Sequence, residues 1–152
     1  MSEVKTPVVA GGRQCGAVRY ALHVAPENAP VCHCRMCRRA TGGLFAALAG
    51  APTNAFAWSR GEPAVFASSS LAKRGYCRDR GAPLSFSYDY PEAHFYVTSG
   101  SMDDPEAAPI LKQVGIESRV GWVTFCEDVP AEQTGEDPEA AAFFAGMQSR
   151  QA

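Results

Sequence analysis

The chain has 152 residues, of which 46% are apolar and 20% charged, and this ordinary globular composition excludes disorder along the whole chain. Its length predicts one domain with a sizeable core. The formal charge is −2, divided into −5 over residues 126–152 and +3 over residues 1–125. This balance gives no electrostatic case for a nucleic-acid partner, whereas the mildly basic body suits an anionic ligand.

Short β-strands make up most of the predicted elements. The segment 16–24 alternates apolar and polar residues with the period of a half-buried strand. A short strand at Val31–Cys34 then leads into a tight turn or a single helical turn at Arg35–Thr41. Further strands are predicted at Leu44–Ala49, Phe56–Ser59, Ala64–Ala67, Arg74–Cys77, Leu84–Tyr88, Phe95–Thr98 and Trp122–Phe125. Many short strands with Gly- and Pro-rich connections predict a mainly β domain.

One short helix is predicted near the C-terminal end. Asp137 can cap it, Pro138 suits its first position, and Glu139 suits the positive end of the helix dipole. We therefore divide the chain into a domain at 8–126 and an acidic linker with a C-terminal helix at 127–152.

The expected compartment is the cytoplasm. The first residues lack the apolar core and cleavage site of a signal peptide. The uncharged run Ala40–Ser59 contains too many Gly, Pro and Thr residues for a membrane-spanning helix, so no membrane partner is expected. In this compartment the six cysteines are expected to be thiols or metal ligands rather than disulfides.

Cys32, Cys34 and Cys37 form a C-x-C-x-x-C motif. Side chains at i and i+2 of a strand share a face, and a turn after Cys34 can return Cys37 to the same point. Three sulfurs can then hold one ion, and soft thiolates favour zinc, copper(I) or iron–sulfur chemistry. Three protein ligands leave one tetrahedral position open, which is typical of catalytic zinc.

Other interpretations of this motif stay open. A closed structural site would take Cys15, Cys77, His33 or His94 as a fourth ligand, and the spacing does not distinguish it from an open site. An oxidised pair with one spare thiol, or three thiols without metal, are further alternatives. The neighbouring Arg35, Arg38 and Arg39 are candidates to offset the thiolate charge or to bind a ligand carboxylate, although such residues often form only a solvated face.

Several segments together resemble a known family. They are GGRQCGAVRY, CHCRMCRRATGG, FAWSRGEPAVFASSSLAKRGYCRDRG, and SGSMDDP followed by ESRVGW. In order and spacing they resemble the glutathione-dependent formaldehyde-activating enzyme family, which includes centromere protein V, from about Gly11 to Trp122. The resemblance implies a mainly β, Mss4-like fold (a β-tent) of small antiparallel sheets around zinc.

The resemblance also implies a function. Cys32, Cys34 and Cys37 would be the catalytic zinc ligands of a carbon–sulfur lyase-like enzyme. Its partners would be a glutathione-like thiol and a small aldehyde, which it joins into a hemithioacetal. Arg35, Arg38 and Arg39 are the candidate substrate-binding residues. The alternative is a non-catalytic zinc-binding structural or interaction module.

The chain departs from the family pattern at a second zinc site. The family builds that site from four cysteines, whereas the matching positions here are Arg13, Cys15, Cys77 and Arg80. Guanidinium has no lone pair to offer a metal, so we expect this site to be empty and the chain to hold one Zn²⁺. Cys15 and Cys77 are expected to face each other, either as free thiols or as a disulfide, and Arg13 or Arg80 to pair with Asp79 or another carboxylate.

A second departure follows downstream. Where the family commonly has a His-Ile-Trp-like step, this chain has Gln113, Val114 and Gly115. The family's substrate contacts at that step therefore do not carry over directly.

Overall fold

The computed structural model describes residues 7–13, 16–90, 92–124, 130, 133 and 135–146. Within them the chain forms ten strands and two α-helices, joined in places by single 3₁₀ turns. In chain order they are β1 (Val9–Gly12), β2 (Arg19–Leu22), β3 (Pro30–Cys32), α1 (Arg35–Thr41), β4 (Ala46–Pro52), β5 (Phe56–Arg60), β6 (Ala64–Ser69), β7 (Ala72–Tyr76), β8 (Pro83–Tyr88), β9 (His94–Thr98), β10 (Lys112–Val114) and α2 (Pro138–Ala145). The predicted mainly β class with a short C-terminal helix is confirmed.

The strands form two sheets. The smaller has the order β1-β2-β5, and the larger has the order β10-β3-β4-β9-β8-β7-β6. Neighbouring strands are antiparallel except for β10, which runs parallel to β3 and places Val114 opposite Cys32. The larger sheet is therefore mixed, and its β10 edge lies beside the cysteine motif.

The main core cluster lies between the two sheets. Tyr20 and Leu22 of β2 are almost fully buried, together with Val9 of β1 and Val97 of β9. The Tyr20 hydroxyl, which the cluster encloses, pairs with Ser101 Oγ at 2.8 Å, so its polar end is satisfied. The predicted burial of Tyr20 and Leu22 is thus confirmed, but Ala21 between them is also buried, so β2 is covered on both faces there.

Truncating this core should destabilise the fold. Leu22 is completely buried, so Leu22→Ala is expected to lower the free energy of unfolding by about 2–5 kcal/mol. Leu71→Ala is the matched control, because Leu71 is two-thirds exposed and should change stability little. Urea denaturation measures both, and equal losses for the two variants would contradict this placement of the core.

Three details differ from the expectation. The short strands β1 and β10 were not predicted, and the segment at Arg35–Thr41 is a full α-helix of seven residues. Residues 122–124 form no strand, and Trp122 is 71% exposed, so the strand predicted at Trp122–Phe125 is wrong over its described part. Phe125 lies outside the described residues.

The end of the chain follows the predicted capping pattern. The Asp137 carboxylate accepts a hydrogen bond from the Glu139 N–H at 3.0 Å, just before α2. Among the described residues, neither helix combines the length and apolar character needed to cross a bilayer.

Candidate metal centre

The end of β3 and the start of α1 bring three cysteines together. Cys32 ends β3, Cys34 is the N-cap of α1, and Cys37 lies one turn further along. Cys34 is extended, and its sulfur accepts the Cys37 N–H at 3.3 Å. The three sulfur atoms all lie within 4.8 Å of one another. The convergence predicted from the C-x-C-x-x-C spacing is therefore confirmed.

Two glycines fix the segments around this cluster. Gly42 ends α1 in the left-handed conformation (φ 72°) and donates its N–H to the Arg38 carbonyl at 2.8 Å. Gly115 also has positive φ (64°), and a Cβ there would lie 3.2 Å from the Cys34 nitrogen. The segment 113–115 thus packs directly on the cysteine motif at Gly115.

The candidate fourth ligands that the structure describes do not join the cluster. His33 is fully buried, and its Nε2 pairs with Gln113 Oε1 at 2.9 Å. His94 Nε2 pairs with Glu27 at 3.1 Å. Among the described residues, no other Cys, His, Asp or Glu completes a metal-binding group with the three sulfurs. Cys15 lies outside that part of the chain. The described residues therefore provide three ligands.

A buried arginine, which the sequence did not single out, touches the cluster. Arg74 of β7 is 7% exposed, and its Nη2 donates to Cys37 Sγ at 3.5 Å. Its guanidinium carbon lies 4.7 Å from the centre of the Phe86 ring. No carboxylate of a described residue pairs with it. A buried cation needs a counter-charge, and the thiolate cluster is the group in contact that can supply it.

Hydrogen bonding shifts the pKa values of two of the cysteines in opposite directions. A hydrogen bond with Cys32, together with smaller effects of the Arg74 guanidinium and Cys34, lowers the pKa of Cys37 to about 5 against the opposing effect of burial. The same hydrogen bond, together with burial, raises the pKa of Cys32. These contacts favour the thiolate at Cys37 and the thiol at Cys32 in the metal-free cluster.

The sulfurs open onto a cavity of about 300 Å³, which is within the range of small-molecule sites. Phe86, Tyr88 and Tyr96 form its aromatic wall, and the exposed Lys112 stands at its rim. Val114 also lines it, so the segment 113–115 contributes to this cavity. A small organic molecule can reach the sulfurs from here.

The three arginines of the motif lie away from this cavity. Arg35 and Arg39 are exposed, Arg38 is half-buried, and none of them lines it. Arg38 and Arg39 occupy the last turn of α1, where positive charge is favourable next to the helix dipole. Their role in binding substrate stays a prediction.

The second group of predicted residues lies at the ends of β1 and β7. Arg13 is 8% exposed and its Nη1 donates to Asp79 at 3.4 Å, so the predicted pairing of Arg13 with Asp79 is confirmed. Cys77 is a buried free thiol, and Arg80 is exposed. Because Cys15 lies outside the described residues, its expected approach to Cys77 stays a prediction.

Comparisons with known proteins support the resemblance found in the sequence. The family model for the glutathione-dependent formaldehyde-activating enzyme matches residues 8–115. A crystal structure of a Rhodobacter sphaeroides protein from a structural genomics programme superposes with a TM-score of 0.54 at 22% identity, covering 69% of this chain and 99% of the other. This second likeness concerns the fold alone. No curated protein matches the sequence.

Proposed function

The chain belongs to the glutathione-dependent formaldehyde-activating enzyme family, and on that premise we propose that it is a zinc enzyme that adds a thiol to a small aldehyde. The observation that carries this proposal is the cluster of three cysteine sulfurs within 4.8 Å of one another, open to a cavity. Three ligands with an accessible fourth position suit catalysis, whereas a purely structural site is closed by a fourth protein ligand.

The donor set fits zinc. Tetrahedral Zn–S bonds of about 2.3 Å require sulfurs about 3.8 Å apart, a spacing that the observed cluster reaches with small side-chain adjustments. Three thiolates around one Zn²⁺ leave a net negative charge, and Arg74 lies against Cys37 to offset it. When bound, zinc lowers the pKa of a coordinating thiol, so that the thiolate exists at neutral pH.

The chain's own residues position the reactants. Cys32, Cys34 and Cys37 would hold the metal at the floor of the cavity, and its aromatic wall would exclude water from the reacting groups. The substrate sulfur forms a bond to the aldehyde carbon, the carbonyl electron pair moves to oxygen, and the oxygen takes up a proton. The product is a hemithioacetal, and the reverse step is a carbon–sulfur lyase reaction.

The identity of the thiol follows from charge. Lys112 at the rim would attract a carboxylate, as would Arg35, Arg38 and Arg39 if the thiol extends along α1. A glutathione-like thiol carries such groups, and a small aldehyde such as formaldehyde fits the remaining space. We further propose one zinc per chain, since Arg13 and Arg80 supply no lone pair to a second metal. We also propose a cytoplasmic location.

Exchange NMR tests this function, because hemithioacetals form reversibly and a catalyst changes only the rate. The protein is stripped with a chelator, reloaded with zinc, and added to glutathione with formaldehyde. We expect the reloaded protein to accelerate exchange between free aldehyde and adduct, and the stripped protein to leave the background rate. 2-Mercaptoethanol, which lacks carboxylates, should be accelerated less. If the exchange with both thiols stays at its background rate in the presence of the reloaded protein, the result would favour the non-catalytic module instead.

A further inference from the structure

A second cavity, separate from the sulfur cluster, contains two guanidinium groups. It has a volume of about 550 Å³ and is lined by Arg13 at the end of β1 and by Arg80 in the turn between β7 and β8. We call it the arginine cavity. Its volume lies within the range of small-molecule sites.

The hydroxyl groups in its wall already have hydrogen-bond acceptors, so the two arginines are the side chains available to donate hydrogen bonds to a ligand. The hydroxyls of Thr41, Thr98 and Ser101 also line the cavity, but each lies within 2.9 Å of a backbone carbonyl that can accept its hydrogen. By contrast, Arg13 Nε is buried and has no hydrogen-bond partner in the described part of the chain. Arg80 is exposed, and no described residue forms an ion pair with its side chain.

The charge in the cavity is positive. None of the described residues that line it is Asp or Glu. The adjacent Asp79 pairs with Arg13 at 3.4 Å, and the Asp79 carboxylate is largely exposed. One carboxylate cannot offset both guanidinium charges, so the charge of Arg80 has no counterpart among the described residues of the cavity. Phe45, Ala46 and Leu84 add an apolar wall. Two guanidinium groups beside an apolar wall suit an oxyanion carried by a small organic molecule.

We propose that the arginine cavity is a binding site for a small molecule with a phosphate or carboxylate group. Arg80 and Arg13 hold the oxyanion, and the apolar wall contacts the rest of the ligand. The two positions at which guanidinium replaces potential metal ligands would thus serve anion binding. The proposal does not depend on the zinc chemistry, because the cavity shares none of the three sulfurs.

Two arginines in one turn provide the test. Arg78 and Arg80 are both exposed, but only Arg80 lines the cavity. The full chain is titrated with inorganic phosphate and, in a separate experiment, with acetate. Chloride keeps the ionic strength constant. The amide NMR signals of Gly81 and Gly100, which line the cavity, report binding. We expect saturable binding that weakens about tenfold or more in Arg80→Gln and stays within about twofold in Arg78→Gln.

The outcomes separate the alternatives. Tighter binding of phosphate identifies a phosphate ligand, and tighter binding of acetate identifies a carboxylate ligand. Unchanged anion binding in Cys34→Ser would show that the arginine cavity acts independently of the sulfur cluster. Absence of a saturable shift with both anions, or equal weakening in Arg78→Gln and Arg80→Gln, would overturn the proposal.

Discussion

Replacing Cys34 with serine should remove zinc from the protein and abolish the zinc-dependent acceleration of thiol exchange. The variant loses one of three sulfur ligands, and we expect zinc affinity to fall by about 100-fold or more, beyond the 10–100-fold typical of partners that only orient ligands. Serine is a good helix N-cap, so its hydroxyl can replace the sulfur that accepts the Cys37 N–H. α1 should therefore form normally.

The measurement is the zinc content per chain after dialysis against a weak competing chelator, with circular dichroism as the check on folding. Cys77→Ala is the matched control, because Cys77 is a free buried cysteine outside the sulfur cluster. It should retain zinc. A folded Cys34→Ser protein that keeps its zinc in full would contradict the assignment of Cys34 as a ligand.

Arg74→Met should weaken zinc binding and change the reactivity of Cys37. Methionine keeps much of the apolar volume against Phe86 but removes the positive charge that touches Cys37 Sγ. Since that charge stabilises the bound thiolates, zinc affinity is expected to fall by about 10–100-fold. In the zinc-free protein the pKa of Cys37 should rise from its value of about 5, because the thiolate loses one of its stabilising partners.

The rate of alkylation by iodoacetamide as a function of pH measures this second effect. A higher pKa leaves less thiolate at pH 6, so alkylation of Cys37 should slow there and approach the wild-type rate above pH 9, where an ordinary thiol is ionised. Lys73→Met is the matched control, because Lys73 is the exposed neighbour in β7 and pairs with Asp89. If the Lys73 and Arg74 variants have the same pH profile and zinc affinity, Arg74 does not act on the cluster.

The sequence was sufficient to predict the cluster of three sulfurs but not the buried arginine that contacts it. The spacing of Cys32, Cys34 and Cys37 is local, so strand and helix geometry alone predicts that the sulfurs converge. The burial of Arg74 depends instead on long-range contacts, among them its contact with Cys37, which lies 37 positions away in the sequence. The sequence holds one indication of this burial. Arg74 lies two residues after Ala72 in β7 and therefore on the same side of the strand, and Ala72 is also buried.

The same distinction between local and long-range information explains which strands could be predicted from the sequence. β2 was predictable because it alternates, whereas β10 has only three residues, two of them polar and exposed. β10 is a strand because β3 supplies its hydrogen-bonding partner across about 80 residues of sequence. The motif arginines Arg35 and Arg39 are neighbours of the sulfurs in sequence, yet the helical turn of α1 leaves them exposed.

X-ray absorption at the zinc edge of the purified protein tests the central claim most directly. We predict one zinc per chain, with three sulfur neighbours at about 2.3 Å and one lighter neighbour, oxygen or nitrogen, in the fourth position. Addition of glutathione should then replace the lighter neighbour with a fourth sulfur. Four sulfurs before any thiol is added, or no zinc in a folded protein, would contradict an open three-cysteine centre.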